Sequence, residues 1–205
     1  MPRRKDRKLS VISEFQGKRL FDIKFVTPVA HEIPRVSHWL TFQHLTEKAK
    51  ETQLPLFLFC EDDHVFTPDF DEHRLEKLVE ESDQMEADML LGGISWMQSP
   101  LQINERLFWV EKFNGIQFAI VYQRFYDRIL SFHSGEDVIT EIALSGLSDR
   151  IFVSYPFISI QKEFGYSDVT ASNNQQGYVD ELFEKARKKF DIQNKVRNYY
   201  LNLCK

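Results

Sequence analysis

The sequence predicts an α/β fold, a mixed, mostly parallel sheet flanked by helices. Three observations carry this. The run Leu56-Phe57-Leu58-Phe59-Cys60 is apolar without alternation, and Met89-Leu90-Leu91 repeats the pattern. Such runs suit strands buried on both faces, as in a parallel sheet. Segments with helical spacing lie between them. Strand-like and helix-like segments then alternate through most of the chain, as when helices cover a sheet.

The elements follow in order. Leu9, Ile12 and Phe15 share one helical face within a charged first segment, residues 1–19. Phe21 to Val26 alternates apolar and polar and predicts a strand, stopped by Thr27-Pro28. Pro34 opens a helix through Trp39, Leu40, Phe42 and Leu45 to about Thr52. After the strand 56–60, Thr67-Pro68-Asp69 starts a helix over 70–82, with Pro and acidic residues in its first turn. Asp88 to Gly93 is a second buried strand ending in a turn. Residues 94–108 predict an irregular loop, with a short strand near Leu107 to Val110. Ile116 to Val121 is a strand, Gln123 to Phe132 a helix, and Asp137 to Leu144 a second helix ended by Gly146. Ile151 to Tyr155 is a strand closed by Pro156. Residues 170–177 are polar, and Tyr178 to Cys204 is a helical tail with apolar residues at Val179, Leu182, Phe183, Ala186 and Phe190.

The chain has 205 residues, 42% hydrophobic and 28% charged, which allows one domain with a substantial core. Eighteen Phe point to a core filled with large rings. A net charge of −5 gives nucleic acid no support as main partner. Basic residues cluster in 2–8 and in 185–189. These read either as solvated ends or as contacts with anionic lipid or a phosphate-bearing acceptor. Cys60 and Cys204 make neither a disulfide framework nor a zinc site by themselves. No apolar stretch approaches a membrane span, and the first residues lack the apolar region of a signal peptide. The expected location is cytoplasmic, with peripheral contact at the inner face of the membrane as the sharper version.

The chemistry concentrates in Glu61-Asp62-Asp63, directly after the first buried run. Ligands of open α/β sheets bind beyond the carboxyl ends of strands. Adjacent carboxylates repel, and a divalent cation offsets that repulsion. Mg²⁺ or Mn²⁺ takes hard oxygen ligands, commonly one or two carboxylates plus substrate phosphates. Alternate residues at a strand end can face one side, which pairs Glu61 with Asp63 as metal ligands and leaves Asp62 for another contact. From the triplet alone, a solvated acidic turn capping the next helix competes evenly with a metal site. His64 is either a further ligand or phosphate donor, or a structural histidine.

The segment FLFCEDDHVFTPDF, followed by ADMLLGG, resembles glycosyltransferase family 25, which includes lipopolysaccharide and lipooligosaccharide sugar transferases. The likeness extends over about residues 2–169. Pro2 to Arg7 resembles the family's Arg-rich segment, Asn114 to Ala119 its Gly-Thr-His-Gly/Ala-Tyr strand, and Tyr155 to Gln161 with Tyr166-Ser167-Asp168 its closing segment. The family's first strand, of Ile-Asn-Leu type, does not precede Met1-Pro2-Arg3. Phe42 stands where the family usually has His. The resemblance implies a GT-A-like (Rossmann-like) fold over 1–169, with 170–205 as polar loop and tail. It implies a nucleotide-sugar donor, UDP-linked, and Mn²⁺ or Mg²⁺ at Glu61 and Asp63. Arg3, Arg4, Arg7, Asp62 and Gln117 then belong to donor binding. Inversion at the anomeric carbon needs a carboxylate base, for which Asp137 is the choice; its other reading is a helix cap. The acceptor class is a surface glycan or lipid-linked glycan. The runner-up is a catalytically inactive relative that keeps the fold as a binding protein. A metal-dependent phosphoesterase lacks a convincing set of further ligands.

Overall fold

The computed structural model describes residues 5–166 and 175–204. In chain order the first elements are α1 (Lys5–Phe15), α2 (Pro34–Glu51), β1 (Leu56–Cys60), β2 (His64–Phe66), α3 (Glu72–Gln84) and β3 (Met89–Leu91). Four short strands follow: β4 (Trp96–Gln98), β5 (Leu101–Gln102), β6 (Leu107–Trp109) and β7 (Lys112–Asn114). Then come β8 (Phe118–Tyr122), a 3₁₀ turn at Gln123–Phe125, α4 (Tyr126–Ser131), α5 (Thr140–Leu147), β9 (Ile151–Ser154), β10 (Ser159–Gln161) and α6 (Tyr178–Leu203). Local chemistry fixes several boundaries. Pro34 opens α2 with the φ that a first turn needs. The Asp71 carboxylate caps α3 by accepting from the Arg74 backbone N–H at 2.8 Å.

The main sheet has six strands in the order β1-β8-β3-β9-β6-β5. It is mixed, but the expectation of mostly parallel pairing is corrected. Only β3 and β9 pair in parallel, and the other neighbours are antiparallel. The physical reason is visible in the register. β1, β3 and β9 do run the same way, but β8 slots between β1 and β3 and bonds both antiparallel. The apolar runs that suggested parallel strands reflect packing on both faces, complete for β3 and partial for the edge strand β1, which does not require parallel neighbours.

Successive side chains alternate between two cores. Met89 and Leu91, Ala119 and Val121 pack with Trp39 and Phe42 of α2 and Phe183 and Phe190 of α6. Leu90, Phe118, Ile120 and Tyr122 pack on the other face with Phe15 of α1 and Leu75 and Leu78 of α3. The expected tail is therefore part of the core in its first half. Phe190 stacks on Phe108 at 4.1 Å with the rings nearly coplanar, and its burial stabilises the docking by roughly 3 kcal/mol.

Other expectations change. Phe21 to Val26 is not a strand, and no strand lies between 20 and 32. Phe21 packs edge-on against Phe15 at 4.9 Å, while Ile23 and Phe25 remain exposed. Residues 94–108 are more regular than expected, because β4 pairs with β7 and β5 with β6. The helix expected at 137–144 starts later, at Thr140. Among the described residues, no helix is long and apolar enough to cross a membrane.

Candidate functional site

The carboxyl ends of β1, β3 and β9 lie on one edge of the sheet, beside the start of β8. Four loops meet there. The Glu61 backbone N–H donates to the Gln117 carbonyl at 3.1 Å, and the Ser159 N–H donates to the Gly92 carbonyl at 3.1 Å. Glycine at 93 is required by this closeness, since a Cβ would run into the Ser159 carbonyl oxygen. The acidic triplet thus emerges onto a floor made by β1, β8 and the β9–β10 connection.

Asp63 is the buried member, with only 8% of its side chain exposed. Its Oδ2 accepts from Arg7 Nη1 at 3.0 Å and from Gln161 Nε2 at 2.7 Å. Its Oδ1 is buried and has no hydrogen-bond partner among the described residues. Burial, then the Glu61 charge, push the Asp63 carboxyl up to about 7, against the opposing pull of Gln161 and Arg7. Arg7 comes from α1 and also donates to Asp62 Oδ1 at 3.0 Å and to the Tyr166 carbonyl at 2.6 Å. Its guanidinium lies 4.9 Å from the Phe164 ring centre and 4.7 Å from that of Tyr166, cation–π contacts to two adjacent rings.

Glu61 faces the other way, toward α2 and α5. His38 Nε2 sits 2.9 Å from Glu61 Oε1, and His38 Nδ1 sits 2.7 Å from Thr140 Oγ1. Burial opposes charge on this imidazole, but the Glu61 hydrogen bond and the charges of Glu61, Glu141 and Asp63 prevail and hold its pKa above the usual histidine value. Glu141 is raised above the carboxylate range by burial and by Glu61, and it accepts from the Gly115 N–H at 3.4 Å. Gly115 has φ +100°, which frees that N–H to point inward. Cys60 is pushed well up by burial and by the three carboxylates, so its thiol is inert.

Of the residues expected from sequence, Glu61, Asp62, Asp63 and Arg7 are brought together. Arg3 and Arg4 lie outside the described residues, as do Ser167 and Asp168. Gln117 is fully buried, and its Nε2 is spent on the Gly93 carbonyl at 3.0 Å and the Ser159 carbonyl. Asp137 is exposed in the loop before α5. The carboxylate whose charge reaches Glu61 is Glu141, one helical turn further on. His64 is buried among Phe15, Phe66 and Phe118, with Nδ1 2.7 Å from Ser159 Oγ. Burial and the nearby Lys18 lower its pKa to about 3, so it is neutral and structural. His38, Glu141 and Gln161 were missed as site residues. Gln161 stood within the closing segment, but His38 and Glu141 carried no motif signal.

Mn²⁺ or Mg²⁺ fits these residues only in part. The spare buried Oδ1 of Asp63 is a hard donor without a partner, as a metal ligand would be before loading. Asp62 and the second Asp63 oxygen are engaged by Arg7. Among the described residues no three His, Cys, Asp or Glu side chains are grouped to hold an ion, so phosphate oxygens would have to complete any such shell. The space beside Asp63, lined by Arg7, Gln161, Lys162, Phe164 and Tyr166, is a cavity of about 10 Å³, room for roughly one water. No family model matches the chain, and no curated protein matches it.

Proposed function

We propose that the chain is a glycosyltransferase that takes a sugar from a nucleotide-sugar donor, UDP-linked, to a hydroxyl of a cell-surface glycan such as lipopolysaccharide. The observation that carries this reading is Asp63. A buried carboxylate with a free oxygen, just beyond the carboxyl end of the edge strand β1 and beside Arg7 and Lys162, suits a diphosphate and its divalent cation. In this reading the fold is GT-A-like, and Asp63 would hold Mn²⁺ or Mg²⁺ together with phosphate oxygens of the donor, Glu61 joining only if it turned from His38; the ion would neutralise charge on the departing diphosphate. Arg7 swings from the carboxylates to the phosphates, opening a space now large enough only for water. Glu141, rather than Asp137, serves as base, because its raised pKa strengthens it. It takes the acceptor hydroxyl proton as the acceptor oxygen bonds the anomeric carbon. The bond from that carbon to the phosphate oxygen breaks, and the nucleoside diphosphate leaves.

A second reading, a catalytically inactive relative that binds a glycan or a protein, is favoured by one observation. The Arg7 guanidinium, 3.0 Å from both Asp62 and Asp63, supplies the positive charge that a cation would bring. Calorimetric titration of the full chain with UDP, with and without Mn²⁺, tests both. The transferase reading expects Mn²⁺-dependent binding that weakens at least about tenfold in Asp63→Ala, a loss of about 1.4 kcal/mol, together with UDP release from UDP-sugars. Nucleotide binding without transfer to any of a broad acceptor panel supports the inactive relative. Absence of nucleotide binding with Mn²⁺ present overturns the transferase reading.

A further inference from the structure

Helix α6 is split into two halves with different surroundings. Val179, Phe183, Ala186 and Phe190 face the core and are buried. Gln193 Nε2 donates to the Pro100 carbonyl at 2.8 Å, and Asn194 Oδ1 accepts from Gln102 Nε2 at 2.9 Å. Beyond Asn194 most of the helix is exposed, Arg197 alone being half-buried before residue 203. Leu201, which by helical period shares the core-facing side, is 46% exposed.

The opposite side carries an apolar stripe at Ile192, Val196, Tyr199 and Leu203, all more than half exposed, with Tyr200 beside it. The 4-3-4 spacing keeps these residues on one face. Lys185, Lys188, Lys189 and Lys195 fall on the same face by the same period, and all four are exposed. Lys185 pairs with Glu181 and Lys188 with Glu184 across exposed turns, which contributes little in water. Residues 185–203 hold six basic residues and one acidic residue, a net charge of +5, while the whole chain carries −5. The rest of the chain therefore carries −10, and the positive charge is gathered where the apolar stripe is.

We infer that this face of α6 docks onto an anionic lipid surface. The charge pattern decides between occupants. A second copy would set two segments of +5, residues 185–203 of each, against each other over a short stripe, which opposes pairing. An anionic bilayer attracts the lysines, takes the apolar side chains among its acyl chains and holds the two tyrosines at headgroup level. This inference stands independently of the transferase reading.

The test is co-sedimentation of the full chain with vesicles of phosphatidylcholine, with or without phosphatidylglycerol, at low and high salt. Binding is expected only with phosphatidylglycerol and is expected to fall with salt. The paired variants Val196→Glu/Leu203→Glu and Lys189→Glu/Lys195→Glu alter exposed side chains only. Each is expected to cut partitioning at least about tenfold while circular dichroism stays unchanged. No binding by the parent chain, binding indifferent to salt, or full binding by both variants would overturn the inference. So would a concentration-dependent dimer in sedimentation that Val196→Glu/Leu203→Glu dissolves, since the face would then belong to a second copy.

Discussion

Replacing Asp63 by Asn removes a charge that the fold resists. The Asp63 carboxyl titrates near 7 in the folded chain and near 3.8 when exposed. Between those values the folded state holds a proton that the unfolded state has released, so stability falls as pH rises. About three pH units at roughly 1.4 kcal/mol each give a ceiling of roughly 4 kcal/mol, lost between pH 4 and pH 8. The ceiling is shared with Glu61, whose charge is the second cause of the shift. In Asp63→Asn this slope disappears. Arg7 is not stranded, because it keeps Asp62 at 3.0 Å and the Tyr166 carbonyl. The new amide places a donor where Oδ1 has no partner, which costs about 1–3 kcal/mol at every pH. That constant drops out when the two proteins are compared along a pH series. Urea unfolding with a chelator present, at pH 4, 5, 6, 7 and 8, measures the difference. The expected result is a gap that moves in the variant's favour by about 2–4 kcal/mol from pH 4 to pH 8. A gap that stays constant, or that moves toward the parent chain as pH rises, refutes the account of Asp63 as a carboxylate held against its charge.

His64 acts with the opposite sign. Its folded pKa near 3 is below the unfolded value, so its stabilising effect is present above pH 6.5 and is lost as pH falls. His64→Leu is expected to flatten the acid side of the stability profile between pH 6.5 and pH 4, measured by the same urea series; an unchanged acid slope counts against a buried neutral imidazole. Gly93→Ala is expected to destabilise the chain by at least about 2 kcal/mol, because its Cβ meets the rigid Ser159 carbonyl. Thermal unfolding reads that loss, and a melting temperature equal to the parent's would show that the four-loop junction is looser than described.

The strands buried on both faces were legible because their composition reports burial. Leu56 to Cys60 and Met89 to Leu91 are where the pattern places them. Their pairing was not legible, since packing on both faces says nothing of direction, and β8 enters between them from later in the chain, more than fifty residues after β1. The Phe21–Val26 alternation misled for a related reason. Period two is a strand signal only where a neighbour offers hydrogen bonds, and here one ring anchors an otherwise exposed segment. In the site, the acidic triplet was legible as a local cluster. The roles of its members were not, because each depends on one distant residue. Arg7 engages Asp62 and Asp63, His38 engages Glu61, and Gln161 engages Asp63. Asp137 was singled out by the family resemblance, with a helix start as its other reading; the helix starts three residues later and brings Thr140 and Glu141 to the site.

Asp63 accepts from Arg7, near the beginning of the described chain, and from Gln161, far along it, and Arg7 also donates to the Tyr166 carbonyl. The carboxylate is thus a clasp that closes a loop of more than 150 residues. During synthesis the clasp cannot fasten until the last strands have left the ribosome, so the triplet waits, charged and hydrated, while the sheet assembles around it. Opening the clasp removes one of the three buried side chains of α1, Arg7, and leaves Val11 and Phe15 in the core. A ligand that draws Arg7 away from Asp63 therefore loosens the start of that helix, and faster proteolysis near Arg7 would report occupancy of the site.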